Sequence, residues 1–464
     1  MPDPKSPPEN GLSRRAFLGT AATAAAGFMI VPRKVLGGPG QKAPSDTLNI
    51  GCVAVGGKGF SDVQDVSSEN IVALCDVDDQ KMAAFLTSDE HPYDKKMKYE
   101  KAAKYRDWRK MLETEKNLDA ITVSTPDHNH AVIAMAAMKM GKHVFVQKPL
   151  THTVKEARLL EEEAKKRNLV TQMGNQGHAR EGARLICEWI WDGAIGDVTE
   201  VHVWTDRPIW PQGVEAPKEI PSVPPNLDWD IWLGPAPWRP YHPALTHFVW
   251  RGWFDYGTGA LGDMGAHLID MPYWALKLGH PLTVQASSTR PTKDSYPVAE
   301  IVTYEFPARG SMPPVKMVWY DGGLTPPRPV VSVLENGRMM GDEDGGGVLF
   351  VGQKGMIMCG TYGDNPRILP ESLMQSYQRP EKTIPRSPGI AAEWIEAIKK
   401  GTKSTTDIPT YSGPLTEVML LGNIAMRFRQ SKTILQWDPV KMEFPNLPEA
   451  DAFVHKEYRI GWSL

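Results

Sequence analysis

From residue 48 onward, short apolar runs alternate with longer segments of helical spacing. Runs at 48–55, 71–75, 120–124, 143–146 and 169–173 are rich in Val, Ile, Leu and Ala with few polar interruptions, as strands buried on both faces require. Between them, 130–140 and 154–166 have helical composition, the second rich in Ala, Leu, Glu and Lys. Strand and helix in turn predict a parallel, doubly wound α/β domain over residues 46–175.

Near residue 176 the texture changes. A helix is predicted over 182–191 and a strand over 198–204, followed by a proline-rich stretch, 208–225, that can be neither regular helix nor central strand. Strand-like runs follow at 282–288, 299–306, 315–320 and 347–353, the last joined by a glycine-containing turn to 356–359 as a hairpin. Helical segments come later, at 391–399 and 414–428. Strands followed by helices predict an α+β domain over 176–464 with a large, mainly antiparallel sheet. An exposed face of that sheet is the expected surface for a homo-oligomer.

Composition narrows the function. A chain of 464 residues, 41% hydrophobic and 23% charged, supports two well-packed domains. The net charge of -3, with no basic stripe, gives no reason to bind nucleic acid or an anionic membrane, so a small-molecule partner is expected. Cys52, Cys75, Cys187 and Cys359 are far apart and form no metal-ligand cluster; free thiols and no metal are expected. Residues 1–45 differ in kind. Ser13-Arg14-Arg15-Ala16-Phe17-Leu18-Gly19 precedes an Ala-, Gly- and Thr-rich segment, which resembles a twin-arginine (Tat) export signal. The segment is too short and too weakly apolar for a stable membrane span. The expected location is the periplasm, or the outer face of the inner membrane if the signal stays uncleaved.

Four clusters carry candidate chemistry. The first strand runs into Ala54-Val55-Gly56-Gly57-Lys58-Gly59, an A-x-G-x-x-G form of the dinucleotide fingerprint, and Asp76 follows twenty positions after Gly56 at the end of the second strand. The glycines allow a pyrophosphate close to the backbone, and the carboxylate can bind both ribose hydroxyls while repelling a 2′-phosphate, which favours NAD over NADP. Ser124-Thr125-Pro126-Asp127-His128-Asn129-His130 ends another strand, and Val146-Gln147-Lys148-Pro149 the next. Ligands of open α/β sheets gather at such ends. Ser124, Thr125, Pro126, His128, His130, Gln147, Lys148 and Gln176 are therefore cofactor-side candidates beside Gly56, Gly57, Lys58, Gly59 and Asp76. In a helix beginning near residue 261, Asp263, His267 and Asp270 share one face at spacings of four and three. A histidine flanked by carboxylates suits acid/base work on a hydroxyl.

Together these motifs resemble the Gfo/Idh/MocA oxidoreductase family. That resemblance implies a nicotinamide Rossmann domain followed by an antiparallel-sheet domain, with Lys148, His267 and Asp263 as catalytic residues and a secondary alcohol of a sugar or cyclitol as substrate. Two positions depart from the family pattern: Ala54 stands for the usual first glycine, and Gln147 for the usual glutamate before the lysine.

Residues 189–253 hold nine of the fifteen tryptophans, whose faces can stack on sugar rings or simply pack an irregular segment. His178, Arg180, Arg207, Arg251, Trp253 and Tyr256, with Asp263 and His267, are the expected substrate contacts. The expected reaction is hydride transfer between NAD and a secondary hydroxyl of a sugar, glycoside or cyclitol with cofactor tightly held; the alternative is a glycosidase or lyase that oxidises C3 only transiently.

Overall fold

Six strands build the first sheet: β1 (Asn49–Val53), β2 (Asn70–Cys75), β3 (Ala103–Tyr105), β4 (Ala120–Val123), β5 (His143–Val146) and β6 (Thr171–Met173). The computed structural model describes residues 46–431 and 433–464; the export signal expected over 1–45 lies outside the described residues. Every pairing in this sheet is parallel, in the order β3-β2-β1-β4-β5-β6. The order reverses between β1 and β4, so their carboxyl ends open a crevice.

The crossover helices are shaped by local sequence. Val154–Arg167 starts at a capping box, Thr153 with Glu156, and stops at Asn168 in the left-handed region, so side chains satisfy the first turn's orphan amides. Three helices between β2 and β4, Asp79–Thr87, Tyr93–Lys101 and Trp108–Thr114, were not expected from pattern. They are short and polar, and two of them are set by N-caps: Asp78 accepts from Gln80 N and Asp107 from Arg109 N.

The second sheet contains β7 (Val198–Trp204), β8 (Thr283–Ser288), β9 (Glu300–Phe306), β10 (Val315–Tyr320), β11 (Gly347–Gly352), β12 (Met356–Cys359), β13 (Arg367–Leu369) and β14 (Leu435–Gln436), ordered β13-β12-β11-β7-β10-β9-β8-β14. Only the β7–β10 pairing is parallel. Helix Gly413–Arg427 packs against β8 and β9 and against helix Gly259–Leu268. Helix Ile390–Lys400, expected within the second domain, instead covers a face of the first sheet. Trp394 is fully buried there among Ile50, Cys52 and Phe145, and Lys399 pairs with Glu69 at 2.7 Å. Burying one indole this way stabilises by roughly 3–5 kcal/mol, enough to draw a late helix back to the first sheet.

The irregular stretch between β7 and Gly259 folds around its own aromatic cluster of Leu227, Trp229, Trp232, Leu245, Trp253 and Tyr256. Residues 456–462 strap it to the first sheet's helices. Arg459 donates from its backbone to Pro235 O at 3.1 Å and from its guanidinium to Gly234 O and Asp230 O. Lys456 pairs with Glu156 at 3.0 Å, and Tyr458 donates to the same carboxylate at 2.7 Å. Trp462 lies beneath Arg109 and beside Trp108. All four cysteines are free and buried. No helix among the described residues is long and apolar enough to cross a membrane.

Candidate active site

A cavity of about 530 Å³ opens at the β1/β4 crevice. Its floor is Ala54, Gly56, Gly57 and Lys58 with Asp76; one wall is Ser124 to Asp127 with Gln147 and Lys148; the roof is Leu227, Ile231, Trp232, His247, Trp250 and Arg251. The floor is shaped for a diphosphate. Gly59 lies so close to β1 that a Cβ there would sit 2.1 Å from Ala54 O, while a Cβ on Gly57, at φ 55°, would meet nothing within 4 Å. The first glycine packs helix on strand and the second leaves open backbone, the division of labour a bound dinucleotide needs. Ala54 adopts φ 65°, the left-handed region that costs a residue with a Cβ about 1–2 kcal/mol.

Asp76 is buried at the rim of the floor. Its carboxylate accepts from Val55 N at 2.9 Å, Gly56 N at 3.3 Å and Asp78 N at 3.0 Å. Burial pushes its carboxyl upward against these three donors. The residues present fit NAD: a glycine cradle for the diphosphate and a carboxylate where the adenosine ribose would lie. Lys58, the cation that could have attracted a 2′-phosphate, is ion-paired with Asp62.

At the other end, the Lys148 ammonium donates to both Asp263 O and Asp263 Oδ1 at 2.8 Å. Arg251 Nε donates to the same Oδ1 at 3.0 Å, and its guanidinium lies 4.3 Å from the centre of the Trp250 ring. Burial would raise the Asp263 carboxyl, but Lys148 and Arg251 outweigh it and hold it far below the ordinary carboxylate range. One turn along the same helix, His267 is 2% exposed, with its Nδ1 unpartnered among the described residues and its ring edge-on to Tyr362 at 4.9 Å. Burial and then the nearby Lys148 ammonium push its ring well below the usual histidine value, so it is neutral at pH 7. Of this group Lys148 and Arg251 line the cavity, and Asp263 and His267 do not.

Several sequence candidates are placed elsewhere. His128 does not line the cavity; its ring sits between the carbonyls of Tyr256 and Trp232, and burial pushes it down to about 3. His130 ties two loops, its nitrogens 2.9 Å from Pro149 O and 2.8 Å from Thr125 O. Gln176, just past β6, is likewise off the cavity wall. The helix carrying Asp263 ends at Ile269, and Asp270 starts a second helix. Its carboxylate turns away from Lys148, accepting from Asn175 at 3.1 Å and Tyr411 at 2.6 Å and facing His178 Nδ1 at 3.0 Å. His178 is thus committed, stacked on Trp274 at 4.0 Å. Trp253 and Tyr256, expected at the substrate, belong to the roof's core, because an irregular segment this long needs buried aromatics to hold its shape. Arg207 pairs with its neighbour Asp206 at 2.6 Å. Arg180 pairs with Asp364 and lies 4.6 Å over Tyr362, the residue that meets His267.

Sequence reasoning missed Asp62, Asp127 and Tyr362. Asp127 starts helix Asp127–Lys139 inside a motif already singled out; it lines the cavity, accepts from Thr258 Oγ1 at 2.7 Å and is pushed up to about 7 by burial. Asp62 is four residues after Lys58, a helical spacing visible in sequence. Tyr362 follows a strand in a glycine-bounded turn, which signals a loop but no chemistry. It lines a second cavity of about 620 Å³ with Asp342, Glu343, Asp344 and Asp364. Among the described residues no cluster could hold a metal ion.

Comparison with known proteins agrees with this geometry. Residues 49–175 match the oxidoreductase-family NAD-binding Rossmann fold of Gfo/Idh/MocA proteins, and 197–310 match that family's C-terminal alpha/beta domain. A levoglucosan dehydrogenase of Pseudarthrobacter phenanthrenivorans is 28% identical over 165 residues, 36% of this chain and 34% of that one. A glycosyl hydrolase family 109 protein of Shewanella pealeana is 33% identical over 165 residues, 31% of this chain and 35% of its own length. The alignments thus span about a third of these two relatives. The crystal structure of the WlbA dehydrogenase from Bordetella pertussis, in complex with NADH and UDP-GlcNAcA, shares the fold with a TM-score of 0.56 at 14% identity, over 84% of this chain and 99% of that one. With an NAD-binding Rossmann domain and the family's C-terminal domain together matching just over half its length, the chain belongs to the Gfo/Idh/MocA oxidoreductase family.

Proposed function

We propose that the protein moves a hydride between NAD and a secondary hydroxyl of a sugar, glycoside or cyclitol, with the cofactor held throughout the cycle. The observation that carries this reading is one cavity that joins a dinucleotide cradle to Lys148 and Arg251, both held by the carboxylate of Asp263. Bound NAD supplies the hydride acceptor. Lys148, which lines the cavity and is anchored by Asp263, presents an ammonium that stabilises an alkoxide as the hydroxyl proton leaves, and neutral His267, buried one turn along the helix from Asp263, is the base beside Lys148 toward which that proton moves. Asp263 stays ionised and keeps two cations aimed at one point. The roof over the cavity and its strap support slow cofactor exchange, as does the Arg14-Arg15 segment, which points to work in the periplasm where free NAD is scarce.

A second reading is favoured by the similarity to the family 109 glycosyl hydrolase: transient oxidation at C3, loss of the aglycone, then reduction by the same cofactor. Products separate the two. Protein purified without added nucleotide is denatured to identify what it releases, and a native aliquot is incubated with a panel of glycosides. NAD near one per chain with keto sugar and NADH is the expected result; released aglycone without net redox change selects the second reading; no nucleotide and no NAD binding overturns both.

A further inference from the structure

Behind the cavity wall, one carboxylate joins three segments of the first sheet. Asp62, on helix Lys58–Asp65, is 2% exposed. Its Oδ1 accepts from Gln147 Nε2 at 3.0 Å and from the Lys58 ammonium, and its Oδ2 accepts from Ser124 Oγ at 2.6 Å. Gln147 completes the link to the catalytic lysine, its Oε1 accepting from Lys148 N at 3.3 Å. Neighbouring backbone holds the amide in place: a Cβ on Gly174 would lie 2.4 Å from Gln147 Nε2. The glycine loop, the end of β4 and the end of β5 are thus all fastened to one buried charge.

We propose that Asp62 is the positioning residue of this site, fixing the helix that follows the glycine loop through Lys58, the end of β4 through Ser124 and, through the Gln147 amide, the backbone from which Lys148 reaches Asp263. The charge count follows from the geometry. Lys58 is paired with Asp62, while Asp263 serves both Lys148 and Arg251, so Asp62 is the carboxylate nearest Gln147. A glutamate at 147 would face Asp62 at about the hydrogen-bond distance the amide now spans, and two carboxylates that close share a proton. An amide therefore stands before Lys148 because the buried negative charge already comes from the neighbouring helix.

The inference rests on the proposed function and is tested by a reciprocal exchange: Asp62→Asn, Gln147→Glu and the double variant, each assayed for melting temperature from pH 5 to 8 without nucleotide, NAD affinity, and turnover on the best glycoside. Each single variant is expected to lose turnover by about tenfold or more. Gln147→Glu alone should gain a melting temperature that rises as pH falls. The double variant, again pairing one carboxylate with one amide, should return to within about threefold of wild-type turnover and lose that added pH dependence. A double variant no better than the worse single variant, or an Asp62→Asn variant with unchanged turnover, overturns the inference while leaving the proposed function intact. A wild-type protein that neither binds NAD nor turns over glycoside overturns the function and this inference with it.

Discussion

Lys148 makes two contacts to one residue, and its removal leaves Asp263 with Arg251 alone. Lys148→Ala is expected to lower turnover by about 10²–10⁴-fold while NAD still binds, as a comparison of product formation with nucleotide titration checks. Asp127 carries a pH effect. Burial raises its carboxyl to about 7, so folding favours the protonated form; the stability this gives is complete below the ordinary carboxyl value and lost as pH rises through about 7. Asp127→Asn should therefore gain on wild type as pH rises from about 4 to about 7, with a gap in melting equivalent to roughly 2–4 kcal/mol at pH 8 and a clearly smaller one at pH 5. Ala54 holds a positive φ, and Ala54→Gly should stabilise the chain by about 0.5–1 kcal/mol, the relieved strain less the glycine's extra chain entropy, measured by denaturant midpoint.

Elements differed in how openly the sequence announced them. The strands of the first sheet are apolar on both faces, and their runs could be read directly, as could the fingerprint loop and the Asp263–His267 spacing. Helices Asp79–Thr87 and Trp108–Thr114 could not, because each is short and is set by an aspartate N-cap rather than by a long apolar stripe. The seven-residue spacing from Asp263 to Asp270 promised two carboxylates around His267, but Asp270 is taken up by Asn175, His178 and Tyr411 instead. The tryptophans of the roof illustrate the same limit. Composition located them, yet only packing separates Trp250, which lines the cavity, from Trp253, whose Nε1 donates to Ala244 O at 2.9 Å inside the core. Partners distant in sequence, such as Asp62 with Gln147, carry no local signature.

At the scale of the whole molecule, late segments return to the first sheet. Helix Ile390–Lys400 covers one face, and Arg158 crosses to Glu417 at 2.7 Å, a buried carboxylate that also receives Trp437. The strap acts at the roof. Arg459→Ala removes three donors from the loop at Asp230 and Gly234, and is expected to weaken NAD retention, seen as faster nucleotide loss on dialysis, with melting lowered by the equivalent of about 1–2 kcal/mol. The strap has a consequence in time as well as in space. Residues 456–462 leave the ribosome after every segment they fasten, so the roof can be strapped only after Glu156 and the loop at 230–235 have been made. A chain clipped before residue 456 is therefore expected to lose added NAD faster on dialysis than the intact chain, because the loop at Asp230 and Gly234 is left unfastened.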